Sequence, residues 1–158
     1  MYREMAALED PRPARLFAVG FGLVYLLVGI IGFFPFLYSD PPAGAPTLTV
    51  DNGYGYLLGL FPTNVLHNAF HIVIGLLGII SAARYGSAKF YCGLLFVVFG
   101  VLALMGVVPA THTAWGLIPI FSADAWLHAA TALAAAIFGF GLTAPSHVPP
   151  MSSHSAHH

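Results

Sequence analysis

Charged side chains are scarce in this chain. Only 7% of its 158 residues are Asp, Glu, Lys or Arg, whereas 58% are hydrophobic. A water-soluble domain is usually about a quarter charged, so this composition cannot cover a surface that faces water. We therefore predict that the lipid bilayer contacts most of the surface. The five Lys and Arg residues are also too few to follow a phosphate backbone, which argues against a nucleic-acid partner.

Cysteine is nearly absent as well. The single thiol, Cys92, lies inside an apolar run, which excludes an intramolecular disulfide, a zinc finger and a dithiol redox motif. The chain also lacks a glycine-rich phosphate loop, and no Ser or Cys stands beside a His in a nucleophile motif. We therefore predict no catalytic residue, and the sequence disfavours an enzymatic role.

Long apolar stretches are present instead, and four of them can each cross a hydrocarbon core of about 30 Å as a helix of about 20 residues. A spanning segment must satisfy its own backbone hydrogen bonds, which favours helices. The sequence predicts an all-α fold, an integral membrane four-helix bundle in a single domain, residues 1–143. The predicted spans cover about residues 16–38, 63–83, 90–108 and 124–143.

All the cations fall on one side of this predicted bundle. Arg3, Arg12 and Arg15 precede the first span, and Arg84 and Lys89 bracket the turn between the second and third spans. Cytoplasmic loops retain positive charge. We therefore predict that both termini are cytoplasmic and that the protein lies in the inner (plasma) membrane of a bacterium.

Two segments lie outside the predicted helices. In the outer connection, the run from Leu57 to Phe61 fits either a short helix on the membrane surface or an early turn of the second span. The C-terminal tail, residues 144–158, is rich in Pro, Ser and His and is predicted to be disordered.

Polar side chains within the spans are costly in lipid and usually face the bundle interior. Those of the second span fall within a helical arc of roughly 100°, and those of the fourth span fall within a narrower arc. Both helices begin on the predicted outer side, so their histidines lie at similar depth. If the two stripes face each other, they form one polar site. Its members are Asn64, His67, Asn68 and His71 from the second span, and Asp124, His128 and Thr131 from the fourth.

Three interpretations of this site remain open. The residues can be structural, pairing across helices through hydrogen bonds worth around 1 kcal/mol each. They can hold a metal ion, with His67 and His71 as an i,i+4 clip that His128 and Asp124 complete. They can also bind haem, with His128 and either His67 or His71 as axial ligands. Two histidines on one helical face cannot both ligate the same haem iron from opposite sides, which weakens the haem interpretation.

Two segments carry a family resemblance: LGLFPTNVLHNAFH, from Leu58 to His71, and DAWLH, from Asp124 to His128. They resemble a bacterial family of small four-span membrane proteins known only as a domain of unknown function. The His-Asn-x-x-His part is the most specific. The resemblance covers most of the chain. It implies that the family's characteristic polar residues are, in this sequence, Asn64, His67, Asn68, His71, Asp124 and His128. The family is loosely similar to the broader DoxX-like four-helix group, some of whose members accompany quinone-linked respiratory enzymes, which is a fold-level analogy.

The first functional expectation is an accessory or scaffold subunit of a larger membrane complex, because the chain has no soluble catalytic domain. The partners would then be the bilayer and other membrane subunits. The alternative is a metal- or haem-binding redox or quinone-interacting protein that uses His67, His71 and His128. A small-solute or proton carrier is a third possibility, disfavoured by the lack of an internal repeat.

Overall fold

The computed structural model describes residues 12–141. The predicted C-terminal tail, residues 144–158, and Arg3 lie outside this range. Within this range, four α-helices and three short strands follow one another. They are α1 (Arg12–Ile31), a 3-10 turn (Pro35–Leu37), β1 (Tyr38–Ser39), β2 (Gly55–Leu57), β3 (Phe61–Thr63), α2 (Val65–Ser81), α3 (Tyr85–Val107) and α4 (Ala123–Ala136), which continues as a π-helical turn (Ile137–Gly141).

The predominantly helical fold confirms the predicted class. Three of the helices, Arg12–Ile31, Tyr85–Val107 and Ala123–Gly141, are long and apolar enough to cross a membrane. Helix α2 is apolar but has only 17 residues, which gives a length of about 25 Å at 1.5 Å per residue. A crossing by α2 therefore stays a prediction, whereas the three long helices indicate a multi-pass membrane protein.

The long helices expose large apolar side chains along their outer faces. Leu16 on α1 is 71% exposed, Leu104 on α3 is 71% exposed and Leu133 on α4 is 63% exposed. Contiguous apolar surface of this kind is unusual for a protein in water and is the surface that lipid tails solvate. The faces agree with the predicted contact with the bilayer.

Helix α1 ends at Ile31, before the predicted limit of the first span at residue 38. The chain turns at Gly32 and Phe33, and Phe34 is extended with φ −99° and ψ 104° ahead of Pro35. A residue before proline is disfavoured in the helical region, so the proline prevents the helix from continuing.

The segment around Leu57–Phe61 is a β-hairpin, so the predicted surface helix or early turn of the second span was wrong. Strand β2 pairs antiparallel with β3, with Leu57 opposite Phe61, and β1 pairs with β2 on its other edge. The reversal is made by Leu58 and Gly59, which have φ of 54° and 72°. Two consecutive left-handed residues form a tight hairpin turn. The small sheet leads directly into the first turn of α2.

Helices α1 and α2 pack closely because glycines line their contact. A Cβ at Gly22 would lie 2.8 Å from the backbone nitrogen of Ile79, and a Cβ at Gly78 would lie 2.8 Å from the carbonyl oxygen of Ala18. Small residues allow this approach of backbones in membrane helices. All four helices contribute to the apolar core, which includes Phe17 of α1, Phe99 of α3 and Ala135 of α4.

Candidate functional site

All seven polar residues predicted for the site are buried. Their exposed fractions are at most 4%, the value for His71. Burial at this level is rare for ionisable side chains unless they are paired or bind a ligand. The set is Asn64, His67, Asn68, His71, Asp124, His128 and Thr131.

The imidazoles of α2 and α4 meet in the interior of the bundle. The ring centroids of His67 and His71 are 4.4 Å apart, and those of His67 and His128 are 5.9 Å apart. One potential ligand nitrogen from each of His67, His71 and His128 lies within 4.8 Å of the others. The two helices therefore bring their histidines into a single cluster, which we call the imidazole cluster (His67, His71 and His128).

Asp124 lies beside two rings of the imidazole cluster. Its Oδ2 is 3.7 Å from Nε2 of His67 and 3.4 Å from Nε2 of His128. Both distances exceed the usual N–H···O range, and Oδ2 has no hydrogen-bond partner among the described residues. Asp124 stands in the first turn of α4, where the positive end of the helix dipole favours a carboxylate.

The ring nitrogens of the imidazole cluster also lack hydrogen-bond partners within the described part of the chain. This holds for both nitrogens of His67, His71 and His128. The carbonyls of Pro62 and Pro119 lie near the His67 ring but outside hydrogen-bonding geometry. A buried polar atom left without a partner costs about 1–3 kcal/mol, so this cluster is an expensive arrangement unless a ligand engages it.

The other two helices close the cluster with aromatic side chains. Tyr25 of α1 packs on His71 at a centroid distance of 5.1 Å, and Phe99 of α3 packs edge-on against His128 at 5.0 Å. The Tyr25 hydroxyl shares a hydrogen bond of 2.6 Å with the Thr131 hydroxyl. Tyr25 was missed in the sequence analysis, although a single hydroxyl in the middle of an apolar run was a signal for an inward-facing residue.

The two asparagines serve a different purpose from the histidines. The Asn64 side chain accepts from the backbone N–H of His67 as the N-cap of α2. Its amide nitrogen donates to the carbonyls of Val50 at 2.8 Å and Leu117 at 2.7 Å. Asn64 thus fixes both long connections to the beginning of α2.

Asn68 anchors the chain that follows α1. Its amide nitrogen donates to the carbonyl of Gly32 and to the Tyr38 hydroxyl, and its oxygen accepts from the Thr63 hydroxyl at 2.8 Å. Every polar atom of this side chain is therefore engaged. The predicted polar site therefore has two parts. The amide side chains of Asn64 and Asn68 hydrogen-bond to the loops, whereas the ring nitrogens of the imidazole cluster and Oδ2 of Asp124 have no hydrogen-bond partner among the described residues.

No match to the chain was found among curated proteins or among solved structures. Residues 15–141 match a family described as Domain of unknown function (DUF4383). This range includes every residue of the imidazole cluster, together with Asp124. The match agrees with the resemblance drawn from the His-Asn-x-x-His segment, and because it covers most of the chain, the protein belongs to the DUF4383 family.

Proposed function

We propose that this protein is a multi-pass membrane protein that binds one transition-metal ion between α2 and α4, through His67, His71 and His128. The observation that carries the proposal is the convergence of these buried imidazoles, with one nitrogen of each within 4.8 Å of the others and none hydrogen-bonded within the described chain.

The donor set indicates the class of ion. Imidazole nitrogen suits Zn, Cu, Fe and Ni, whereas Mg and Ca prefer oxygen ligands. Metal–nitrogen bonds of about 2.0–2.1 Å in a tetrahedral site place ligand nitrogens about 3.3 Å apart. Ligand nitrogens that now lie within 4.8 Å of one another would need to move inward by roughly 1 Å on binding.

Asp124 is suited to the fourth position. Its Oδ2 approaches the Nε2 atoms of both His67 and His128, so an ion held by those nitrogens would lie within reach of the carboxylate. A negative ligand also offsets part of the charge of a divalent ion in a low-dielectric interior, where unpaired charge is costly. We therefore assign Asp124 as the charged ligand of the site.

A bare ion fits this site better than haem does. A haem with two axial histidines needs the imidazoles on opposite faces of a wide porphyrin. Here Asp124 lies within 4 Å of the Nε2 atoms of both His67 and His128, and Phe99 packs directly on the His128 ring. The porphyrin would have to displace these side chains from the core.

The structural interpretation of the cluster is supported less well. Polar residues that act as structural contacts between membrane helices do so through hydrogen bonds, and Asn64 and Asn68 behave in this way. The ring nitrogens of the imidazole cluster form no such hydrogen bond to residues 12–141. The accessory role in a larger complex, the carrier role and the loose likeness to the DoxX-like group stay predictions.

Elemental analysis of the purified full-length protein tests the proposal. Close to one equivalent of a first-row transition metal is expected, and His67→Ala or His128→Ala should remove it. His112→Ala is the matched control, because His112 lies in the connection before α4 and packs on Phe121 at 5.1 Å. The four tail histidines, His147, His154, His157 and His158, should be changed to Ala in every sample. Metal content that survives both cluster substitutions would refute the proposal.

A further inference from the structure

A second candidate site lies at the end of α1, apart from the imidazole cluster. An open cavity of about 390 Å³ is lined by the turn after α1, by β1, by the loop before β2 and by the first turns of α2. This volume falls within the range of about 300–1,000 Å³ common for small-molecule sites. The side chains that matter for its chemistry are Phe33, Tyr38, Asp40, Asn52, Tyr54 and Asn68.

The hydroxyls of the two tyrosines that line the cavity are hydrogen-bonded within the protein. The Tyr54 hydroxyl donates to the carbonyl of Pro46 at 3.0 Å, and the Tyr38 hydroxyl donates to the carbonyl of Gly32. Burial raises the pKa of Tyr54 to about 12, so its phenol stays neutral. Because both hydroxyls are used by the protein, the aromatic surfaces are the parts left for a ligand.

The charge around the cavity is negative. Asp40 lines it with an exposed carboxylate, and the sequence contains no Lys or Arg from residue 16 to residue 83. The nearest basic residue along the chain, Arg15, lies at the other end of the bundle, where its guanidinium donates to the carbonyl of Ala82 at 2.8 Å. The negative end of the α1 dipole also points toward this side.

Two backbone N–H groups in the first turn of α2, which borders the cavity, already have hydrogen-bond acceptors. The backbone N–H of Val65 donates to the carbonyl of Asn52, and that of His67 donates to the Asn64 side chain, both at 3.0 Å. These two donors are therefore not free to bind an anion. The Asp40 carboxylate and the aromatic side chains are therefore the groups that the cavity offers to a ligand.

We propose that this cavity binds an organic ammonium group, with Asp40 supplying charge and the rings of Tyr38, Tyr54 and Phe33 supplying cation–π attraction. The same chemistry is carried by a soluble amine and by the choline or ethanolamine head of a phospholipid. This inference does not depend on the metal proposal.

Choline binding to the full-length protein in a non-ionic detergent tests the proposal by calorimetry. Asp40→Asn should weaken choline binding at least tenfold. Asp51→Asn is the matched control, because Asp51 carries the same charge in the same connection but does not line the cavity. Tyr54→Phe should retain binding and Tyr54→Leu should weaken it severalfold, since the ring and not the hydroxyl is the contact.

Thermal unfolding of each variant separates loss of fold from loss of the site, and metal content should be the same in Asp40→Asn and wild type. If choline does not bind to folded wild-type protein, or if Asp40→Asn and Asp51→Asn behave alike, the proposal is overturned. Choline binding to the protein in nanodiscs of two lipid compositions then distinguishes a lipid headgroup from a soluble amine. Weaker choline binding in phosphatidylcholine than in phosphatidylglycerol discs identifies a lipid headgroup as the occupant, and equal binding identifies a soluble amine.

Discussion

The rings of His67 on α2 and His128 on α4 lie 5.9 Å apart between centroids, in the interior of the bundle. The Oδ2 atom of Asp124 is within 4 Å of the Nε2 atom of each. Two helices that are distant in the chain thus place nitrogen and oxygen donors around one point. This relationship is the basis of the proposed metal site.

Replacing the carboxylate while keeping its shape should weaken the metal site. Asp124→Asn removes the negative ligand beside His67 and His128. We expect metal affinity to fall by at least about 10–100-fold, the loss seen when even the groups that support metal ligands are removed. Competition with a chelator of known affinity measures the change. An affinity equal to that of the wild type would show that Asp124 is not part of the site.

The hydrogen bond between Tyr25 and Thr131 should contribute to stability independently of any metal. It is buried and 2.6 Å long, and hydrogen bonds between membrane helices are worth about 1 kcal/mol. Tyr25→Phe and Thr131→Val should each lower the free energy of unfolding by about this amount. Unfolding in mixed micelles with increasing dodecyl sulfate measures it.

The double variant Tyr25→Phe/Thr131→Val tests whether the two hydroxyls act through one shared hydrogen bond. With both hydroxyls removed, neither is left buried without a partner, so the combined cost should be clearly smaller than the sum of the single costs. Additive effects would mean that the two hydroxyls act separately.

The contact between α1 and α2 should be intolerant of added volume. A Cβ at Gly78 would lie 2.7 Å from the Tyr91 hydroxyl and 2.8 Å from the carbonyl of Ala18, so Gly78→Ala should destabilise the protein by about 1–3 kcal/mol. Gly20→Ala is the matched control, since a Cβ at Gly20 meets nothing within 4 Å. It should be neutral or slightly stabilising, because Ala favours helix over Gly. The same dodecyl sulfate titration compares the two, and equal stability would contradict the close packing.

The proposed orientation predicts cytoplasmic termini. A fluorescent protein fused after His158 should fluoresce in cells, because it folds in the cytoplasm, whereas alkaline phosphatase fused at the same place should be inactive. The reverse pattern would exclude the orientation inferred from the five cations, Arg3, Arg12, Arg15, Arg84 and Lys89.

Much of the candidate site could be predicted from helical periodicity. His67 and His71 share a face of α2, and Asp124 and His128 share a face of α4. Equal distances from the starts of the predicted spans predicted a similar depth for His67 and His128. Convergence of the rings also requires that the two faces lie opposite each other, which periodicity does not determine. Helical periodicity could not predict which polar side chains form hydrogen bonds to the loops. The Asn64 amide, for example, donates to carbonyls in two connections that are distant in the chain.

The hairpin was missed for a local reason. The run from Leu57 to Phe61 is apolar, and short apolar runs do not distinguish helix from strand. The deciding feature is the left-handed backbone at Leu58 and Gly59, and a leucine gives no signal for that conformation because it rarely adopts it. The early end of α1 was easier to predict from the sequence, since Gly32 and Pro35 both disfavour helix.

The most direct test of the central claim is X-ray absorption at the metal edge of the purified full-length protein with its tail histidines replaced. The account predicts an ion with only nitrogen and oxygen neighbours at about 2.0–2.1 Å, with imidazole scattering that diminishes in His71→Ala and is unchanged in His112→Ala. A sulfur neighbour, or a spectrum that does not respond to substitution of His67, His71 or His128, would contradict it.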